Sequence, residues 1–540
     1  MCLPISPRGH RTVNLLILFI VFLLILAWWS SLNIGLSGDE YSHHINGLKR
    51  FNFLIKLGEA KNYHFYNNEL YPGIYDTLSY AFGLIIFLIN DEFYANNIDF
   101  VMHLINISFS SLSILGLYIL TKKIFNQNIA IITAFLTLAN PFFFGHMGMN
   151  PKDLIIFFSL IWSSYYSYQY FINDEKIKNL LLASFFIGFG CGVRLPFIVL
   201  VFPIILCGFI YLFNKYKSQY LNLFKRLFLH SLIAFLIISF LIIICWPHMI
   251  VEIQNGNFIK FLSSNILRTV SFNEGPINGL INGEYYKIIN TPKSYFFDII
   301  IYRLPFYFTI LVSLSYFLIL TGNLNKNNEI SNFKTKFLII NLIPLFPIVI
   351  TIVMNISVYD NLRLFLFIIP FFSIIGSLSL YQFIKFFKNS WKNKATTSFI
   401  LILFSISFYR FIILTPYQYD YINYSSLKFK NAQYKWEHDY WATSYKELIS
   451  KIKKDLSEEE ISNLKIANCV ADEILLYYLY RYLGKKFIYR NERKDEANHV
   501  ILINRALLTE TTCNEYYVGE NVVTVSRNGV ILSALRKLDK

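Results

Sequence analysis

Residues 13–44 read VNLLILFIVFLLILAWWSSLNIGLSGDEYSHH, an uncharged apolar run that ends on a carboxylate pair and two imidazoles. An apolar stretch of about 18 residues or more is long enough to span a bilayer as a helix. Trp28 and Trp29 suit the interfacial aromatic belt. The run is too long for the apolar core of a cleaved signal peptide, so it reads as a retained signal anchor, with Arg8 and Arg11 holding the N-terminus inside. A charge placed this close to hydrocarbon is costly and is usually kept for ion binding, proton transfer or catalysis. If the stretch after Gly38 is helical, Asp39/His43 and Glu40/His44 each stand at i,i+4. Three readings of these residues stay open: a polar cap at headgroup level, a metal site built from all four, and a general base. The last is preferred, because a carboxylate within hydrogen-bond reach of a hydroxyl can take its proton.

The rest of the chain agrees with a membrane setting. Of 540 residues, 55% are hydrophobic and 15% charged, against about 25% charged in soluble domains. The sequence predicts a polytopic α-helical membrane protein. Its net charge of +15 does not point to nucleic acid, because the basic residues fall between apolar spans, where Lys and Arg set orientation. The cysteines show no CxxC or metal-type spacing. Cys191, Cys207 and Cys245 lie in apolar segments and read as inert. Cys469 and Cys513 lie in the polar tail and would pair if that region is extracytoplasmic.

Eleven spans are expected, at 13–34, 100–120, 129–145, 151–172, 179–192, 194–213, 228–246, 296–320, 335–354, 361–383 and 397–414. A twelfth candidate at 77–90 is short and reads as an interfacial or re-entrant segment. Charge supports that choice. With 77–90 lying on the membrane, Lys122 and Lys123 fall inside. So do Lys176 and Lys178, the cluster Lys215, Lys217, Lys225 and Arg226, and the cluster Lys385, Lys388, Lys392 and Lys394. If 77–90 crossed, these clusters would be outside, against the positive-inside rule. The chain then divides into a transmembrane unit, 1–414, and an extracytoplasmic tail, 415–540. The transmembrane unit carries large outer loops at 35–99 and 247–295. The tail is expected to hold a helix near Tyr445–Leu456 and strands at Val500–Ile503 and Val522–Val525, a small α/β domain. No internal repeat is evident, which counts against an inverted-repeat transporter.

Four further groups of ionisable residues stand at predicted outer helix ends. Asn150-Pro151-Lys152-Asp153 is an ordinary helix start in one reading; in the other, Lys152 meets a phosphate while Asp153 binds a metal or orients an acceptor. Arg194 interrupts a long apolar stretch at the tip of a helical hairpin. It either snorkels to the interface or serves as a fixed cation for an anionic headgroup. His248, in Trp246-Pro247-His248, is weak evidence alone. Arg363, in Tyr359-Asp360-Asn361-Leu362-Arg363, is a cation that the topology does not need for orientation. A phosphate leaving group needs positive charge at its oxygens and an acceptor needs a base, so the set suits group transfer from a lipid-phosphate carrier. A proton- or ion-coupled transporter or flippase is the rival class, although it would favour ionisable groups near the midplane rather than at one surface.

Gly38-Asp39-Glu40 after the first span, Asn150-Pro151-Lys152-Asp153 and Tyr359-Asp360-Asn361-Leu362-Arg363, followed by an apolar helix with Pro370, form an ordered series. It continues in the tail with Pro416-Tyr417-Gln418-Tyr419 and the run from Asp439 to Glu447. In order and spacing the series resembles the GT-C membrane glycosyltransferases, in particular bacterial relatives of the protein O-mannosyltransferases and of the lipid A aminoarabinose transferases. The resemblance implies a polyprenyl-phosphate sugar donor and a lipid, glycan or protein acceptor. It also implies inverting transfer of a hexosyl or pentosyl group at the outer face of a bacterial inner membrane. The acid of the first loop would be the base, which corresponds to Asp39 with Glu40 as its neighbour. Donor-phosphate cations correspond to Arg194 and Arg363. The first loop would carry membrane-lying helices. Some relatives need a divalent ion such as Mg or Mn and others do not, so the resemblance leaves a metal open. An oligosaccharide ligase or polymerase using lipid diphosphate donors shares the side, the carrier and much of the chemistry, and is the alternative. The large tail departs from the shortest relatives.

Overall fold

The structure, a computed structural model, describes residues 7–56, 71–173, 175–217, 219–270, 278–324, 330–385, 391–423, 435–485, 488–489, 495–507 and 509–539. Parts of both outer loops (57–70 and 271–277) and Lys388 of the predicted inner cluster lie outside these residues.

Seven described helices are long and apolar enough to cross a membrane, or eight if the bent pair discussed below forms one span. That is fewer than the eleven expected, and each difference has a local cause. The span expected at 296–320 is two helices, Tyr295–Arg303 and Phe306–Leu320, bent by 119°. Between them stands Pro305, which supplies no backbone donor and keeps Leu304 extended at ψ 147°. The span expected at 129–145 breaks into Gln127–Leu138 and Pro141–His146. Asn140 caps the second piece through the Phe143 amide at 3.2 Å, and Pro141 takes the first helical position. The span expected at 179–192 is Ile177–Cys191, only 15 residues. Asp153–Ile172 has 20 residues, but its second half is rich in Ser and Tyr, which lowers its hydropathy. The short candidate at 77–90 is the 16-residue helix Ile74–Ile89, roughly 24 Å long at 1.5 Å per residue.

The first outer loop holds the helices Glu40–Ile55, Ile74–Ile89 and Asp91–Asn96. The first two pack closely because Gly47 has no side chain: a Cβ there would stand 2.3 Å from the Asp76 carbonyl oxygen. The second outer loop holds Pro247–Gln254, Phe258–Val270 and an antiparallel hairpin of β1 (Asn278–Ile281) and β2 (Glu284–Lys287).

The tail contains a four-stranded sheet of β3 (Ile466–Asn468), β4 (His499–Ile503), β5 (Gly519–Arg527) and β6 (Val530–Leu538), in the order β3-β4-β6-β5. The β3–β4 pair is parallel and the other two pairs are antiparallel. The helix Tyr445–Asp455 buries Tyr445, Leu448, Ile449 and Ile452, the i, i+3, i+4, i+7 stripe of an amphipathic helix. Cys469 and Cys513 form a disulfide. One cluster of buried apolar residues runs from Leu23 in the first helix to Leu535 in the sheet, so the tail packs on the helices rather than hanging from them. Asp99 fastens it, paired with Lys446 at 2.8 Å and Arg481 at 3.1 Å.

Candidate functional site

Asp39 immediately precedes the helix Glu40–Ile55, with φ −90° and ψ −24°. Lys152 and Asp153 begin the helix Asp153–Ile172. The Asn150 side chain accepts from the amides of Lys152 and Asp153 at 3.2 and 2.9 Å and donates to the Asp153 carboxylate at 3.1 Å. The helix-start reading of this motif and its placement of two charged side chains are therefore one and the same arrangement. Arg194 occupies the turn between Ile177–Cys191 and Phe197–Lys215. Arg363 follows two consecutive residues in the left-handed region, Asp360 and Asn361, at φ 54° and 60°. Asp and Asn tolerate that conformation better than most residues, and it lets one short turn present both Asp360 and Arg363.

These separate elements meet around the Arg363 guanidinium. Arg363 Nη1 lies 3.4 Å from Asp39 Oδ2 and 3.3 Å from Asp360 Oδ2, and its Nε lies 3.9 Å from Asp153 Oδ2. Lys152 Nζ is 3.9 Å from Asp39, and Arg194 Nη2 is 3.2 Å from Asp153 Oδ1. The tail adds Arg505, whose Nη2 is 3.2 Å from Asp360 Oδ1, and Trp441, whose ring centroid is 4.5 Å from the Arg363 guanidinium carbon. Four cations thus interlock with three carboxylates among the described residues.

Burial would raise the Asp39 carboxyl, but Lys152, Arg363, His43 and Arg194 together hold it well below the usual carboxylate range. Its side chain keeps 37% of its surface exposed, so it is both charged and reachable. Burial pushes Lys152 down, partly countered by Asp39. Arg363 goes the other way: its buried guanidinium is held in the charged form by Asp360, Tyr359, Asp39 and Asp153.

The structure gives Glu40 different surroundings from its neighbour Asp39. Glu40 is fully buried. It accepts from the Ser37 amide at 2.7 Å and Asn106 at 2.8 Å, and meets His103 Nε2 at 3.0 Å. It is a brace between the first-loop helix and the helix Ile98–Ile124. The i,i+4 residues do not bond to each other through their side chains either, because each imidazole has a partner elsewhere. His43 turns to Asp76, with Nδ1 2.7 Å from Oδ1. His44 turns to the Tyr94 hydroxyl at 3.1 Å, and burial pushes it down to about 4. His248 is half-buried on Pro247–Gln254, an element separate from those that carry the cluster.

Among the described residues no three His, Cys, Asp or Glu side chains are grouped to hold a metal ion. The donor chemistry explains why: each acid at the site already faces Arg or Lys. Sequence reasoning did not single out Asp360, Asp76 or Arg505 as site residues. Asp360 lay inside a quoted motif, whereas nothing in the tail sequence marks Arg505 as a partner of a residue 145 positions away.

Residues 84–246 match the family model of the dolichyl-phosphate-mannose-protein mannosyltransferases. The matched stretch contributes Lys152, Asp153 and Arg194, and leaves Asp39 and Arg363 outside. Among solved structures, ArnT from Cupriavidus metallidurans bound to undecaprenyl phosphate is similar at a TM-score of 0.50 and 11% identity, over 96% of this chain and 97% of that one. The oligosaccharyltransferase AglB from Archaeoglobus fulgidus, in complex with an inhibitory peptide and a dolichol-phosphate, is similar at a TM-score of 0.46 and 10% identity, over 89% of this chain and 69% of that one. No curated protein sequence matches. The chain therefore has the fold of ArnT, with a segment in its first half similar to the protein mannosyltransferases.

Proposed function

We propose that this protein transfers a sugar from a polyprenyl-phosphate carrier to an acceptor hydroxyl, with inversion, at the extracytoplasmic face of a bacterial inner membrane. The observation that carries the reading is the Arg363 cluster: a partly exposed carboxylate, Asp39, held ionised by Lys152, Arg363 and Arg194. Asp39 takes the proton of the acceptor hydroxyl as its oxygen bonds to the anomeric carbon. The bond from that carbon to the phosphate oxygen breaks, and Arg363, Lys152 and Arg194 meet the charge that develops there. Inversion in one displacement needs no covalent sugar–enzyme intermediate. Asp153 and Asp360 hold Arg194 and Arg363 in place, and Arg505 fixes Asp360 from the tail.

The match over 84–246 and the shared fold support a lipid-phosphate donor. The Cys469–Cys513 disulfide supports an oxidising, extracytoplasmic location for the tail, with the N-terminus in the cytoplasm. A hexosyl donor is the first choice, given the mannosyltransferase match. The acceptor is a lipid, a glycan or a protein.

The test is transfer of label from polyprenyl-monophosphate sugars to a membrane extract, run beside a lipid-diphosphate oligosaccharide. The expected result is label incorporated from a monophosphate donor alone. Incorporation from the diphosphate alone would instead assign an oligosaccharide ligase. Incorporation from neither would overturn the enzyme reading in favour of transport.

A further inference from the structure

The helix Glu40–Ile55 carries a second titratable group one turn beyond Asp39. His43 Nδ1 meets Asp76 Oδ1 at 2.7 Å on the facing helix Ile74–Ile89, and both residues are 4% exposed. The other Asp76 oxygen is taken by Arg50 Nε at 3.3 Å, and Arg50 is itself fully buried. Asp76 therefore fixes the imidazole with Nδ1 toward the carboxylate, which leaves Nε2 as the nitrogen free to exchange a proton. Among the described residues Nε2 is buried and has no hydrogen-bond partner. A buried polar atom of this kind in a native fold calls for an explanation.

The groups around His43 are Asp76 and the edge of the Tyr75 ring from the facing helix, Arg50 on its own helix, and Asp39 at the helix start. Lys152, the partner of Asp39, also acts on Asp76. Hence the imidazole is bonded through Nδ1 to one carboxylate and acts on a second, the expected base, without a bond to it among the described residues.

We propose that His43 receives, through Nε2, the proton that Asp39 takes from the acceptor hydroxyl, and that Asp76 holds the resulting imidazolium. This rests on the function proposed above and deepens it. In balance, the acceptor O–H bond breaks as its oxygen bonds to the anomeric carbon, and the bond to the phosphate oxygen breaks with its electron pair leaving on the phosphate. The proton moves to Asp39 and then to His43, and it returns by the same path to the departing phosphate or to water as the products leave, so that Asp39 is a carboxylate and His43 neutral for the next turnover. The physical reason for a second carrier is that a carboxylate surrounded by cations is a poor resting place for a proton. The His43 imidazole has an unpartnered nitrogen to receive the proton and a carboxylate, Asp76, to face the charge that results. His43 acts through Asp39 and is a positioning and relay residue, not one that touches the sugar.

The test uses the full chain in lipid nanodiscs, polyprenyl-monophosphate mannose as the donor probe and a membrane extract as acceptor. Wild type, His43→Asn, Asp76→Asn and Asp39→Asn are compared between about pH 5 and pH 8. The Asn side chain keeps a donor for Asp76 and removes Nε2. The expected result is that His43→Asn retains the donor within about twofold, transfers at least about tenfold more slowly, and loses the acid limb of the wild-type pH profile. Asp76→Asn should also transfer more slowly, because the imidazolium loses its partner. A wild-type rate and pH profile in His43→Asn, beside an inactive Asp39→Asn, would overturn the relay and leave the transferase reading intact. No transfer by the wild type would overturn both.

Discussion

Asp39 and Asp439 lie in two regions that the fold packs together, and their surroundings act on them in opposite directions. Asp39 faces Lys152 and Arg363 and keeps over a third of its side chain exposed. Asp439, in the first part of the tail, is fully buried. It takes hydrogen bonds from the Tyr419 hydroxyl and from the amides of Thr443 and Ser444 at 2.9 and 3.1 Å. Cations hold the first carboxyl well below its usual range, while burial pushes the second up to about 6. Glu437 beside it is pushed up to about 7, again by burial. The same functional group is thus a reachable charge in one place and a sealed fastening in the other. What separates them is access and the sign of the neighbours, not residue type.

The sharpest way to break this comparison is to remove the charge at Asp39. Asp39→Asn should lower transfer by about 1,000-fold, the scale of a lost general base, while membrane insertion is unchanged. Arg363→Gln comes next, with an expected loss of about 100-fold in transfer, as for one lost electrostatic stabiliser of the transition state. It should also weaken donor binding and lower the melting temperature, because three acids lose their shared partner. Arg194 is more exposed and touches one acid in the structure. Arg194→Ala should weaken donor binding about tenfold, with little change in transfer once donor saturates; an unchanged donor affinity would assign the side chain to snorkelling.

The smallest effect is on stability. Asp439 and Glu437 bind their protons more tightly folded than unfolded, so their contribution is present in acid and is lost as pH rises through about 6 and 7. Asp39 has the opposite sign: its contribution is present above the usual carboxylate range and is lost only in strong acid. The melting temperature of the wild type should therefore fall by a few degrees between about pH 5 and pH 8. Asp439→Asn should flatten part of that fall; an unchanged slope would mean Asp439 is not the group that titrates.

Much of the site was legible because Asp39, Lys152, Asp153, Arg194 and Arg363 each interrupt or end an apolar run, where a charge is conspicuous. Their meeting point follows from helix ends gathering on one side, a coarse property that topology conveys. Arg505 and Asp76 were not legible as partners, since pairing across a long stretch of chain leaves no local pattern. The burial of Glu40 was not legible for a related reason. Adjacent residues on a helix start diverge by about 100°, so Asp39 and Glu40 point to different surroundings despite standing side by side. The expected spans differ from the helices where Pro305 and Pro141 break apolar runs and where Tyr and Ser dilute the helix Asp153–Ile172. Composition over a window does not see such breaks.

The most direct test of the central claim separates donor binding from transfer at Asp39. Wild type and Asp39→Asn in nanodiscs would be given labelled polyprenyl-monophosphate mannose, with bound label measured before acceptor is added and transferred label after. The account predicts equal donor retention, within about threefold, and transfer by the wild type alone. Transfer by Asp39→Asn at a comparable rate would contradict the assignment of Asp39 as the base.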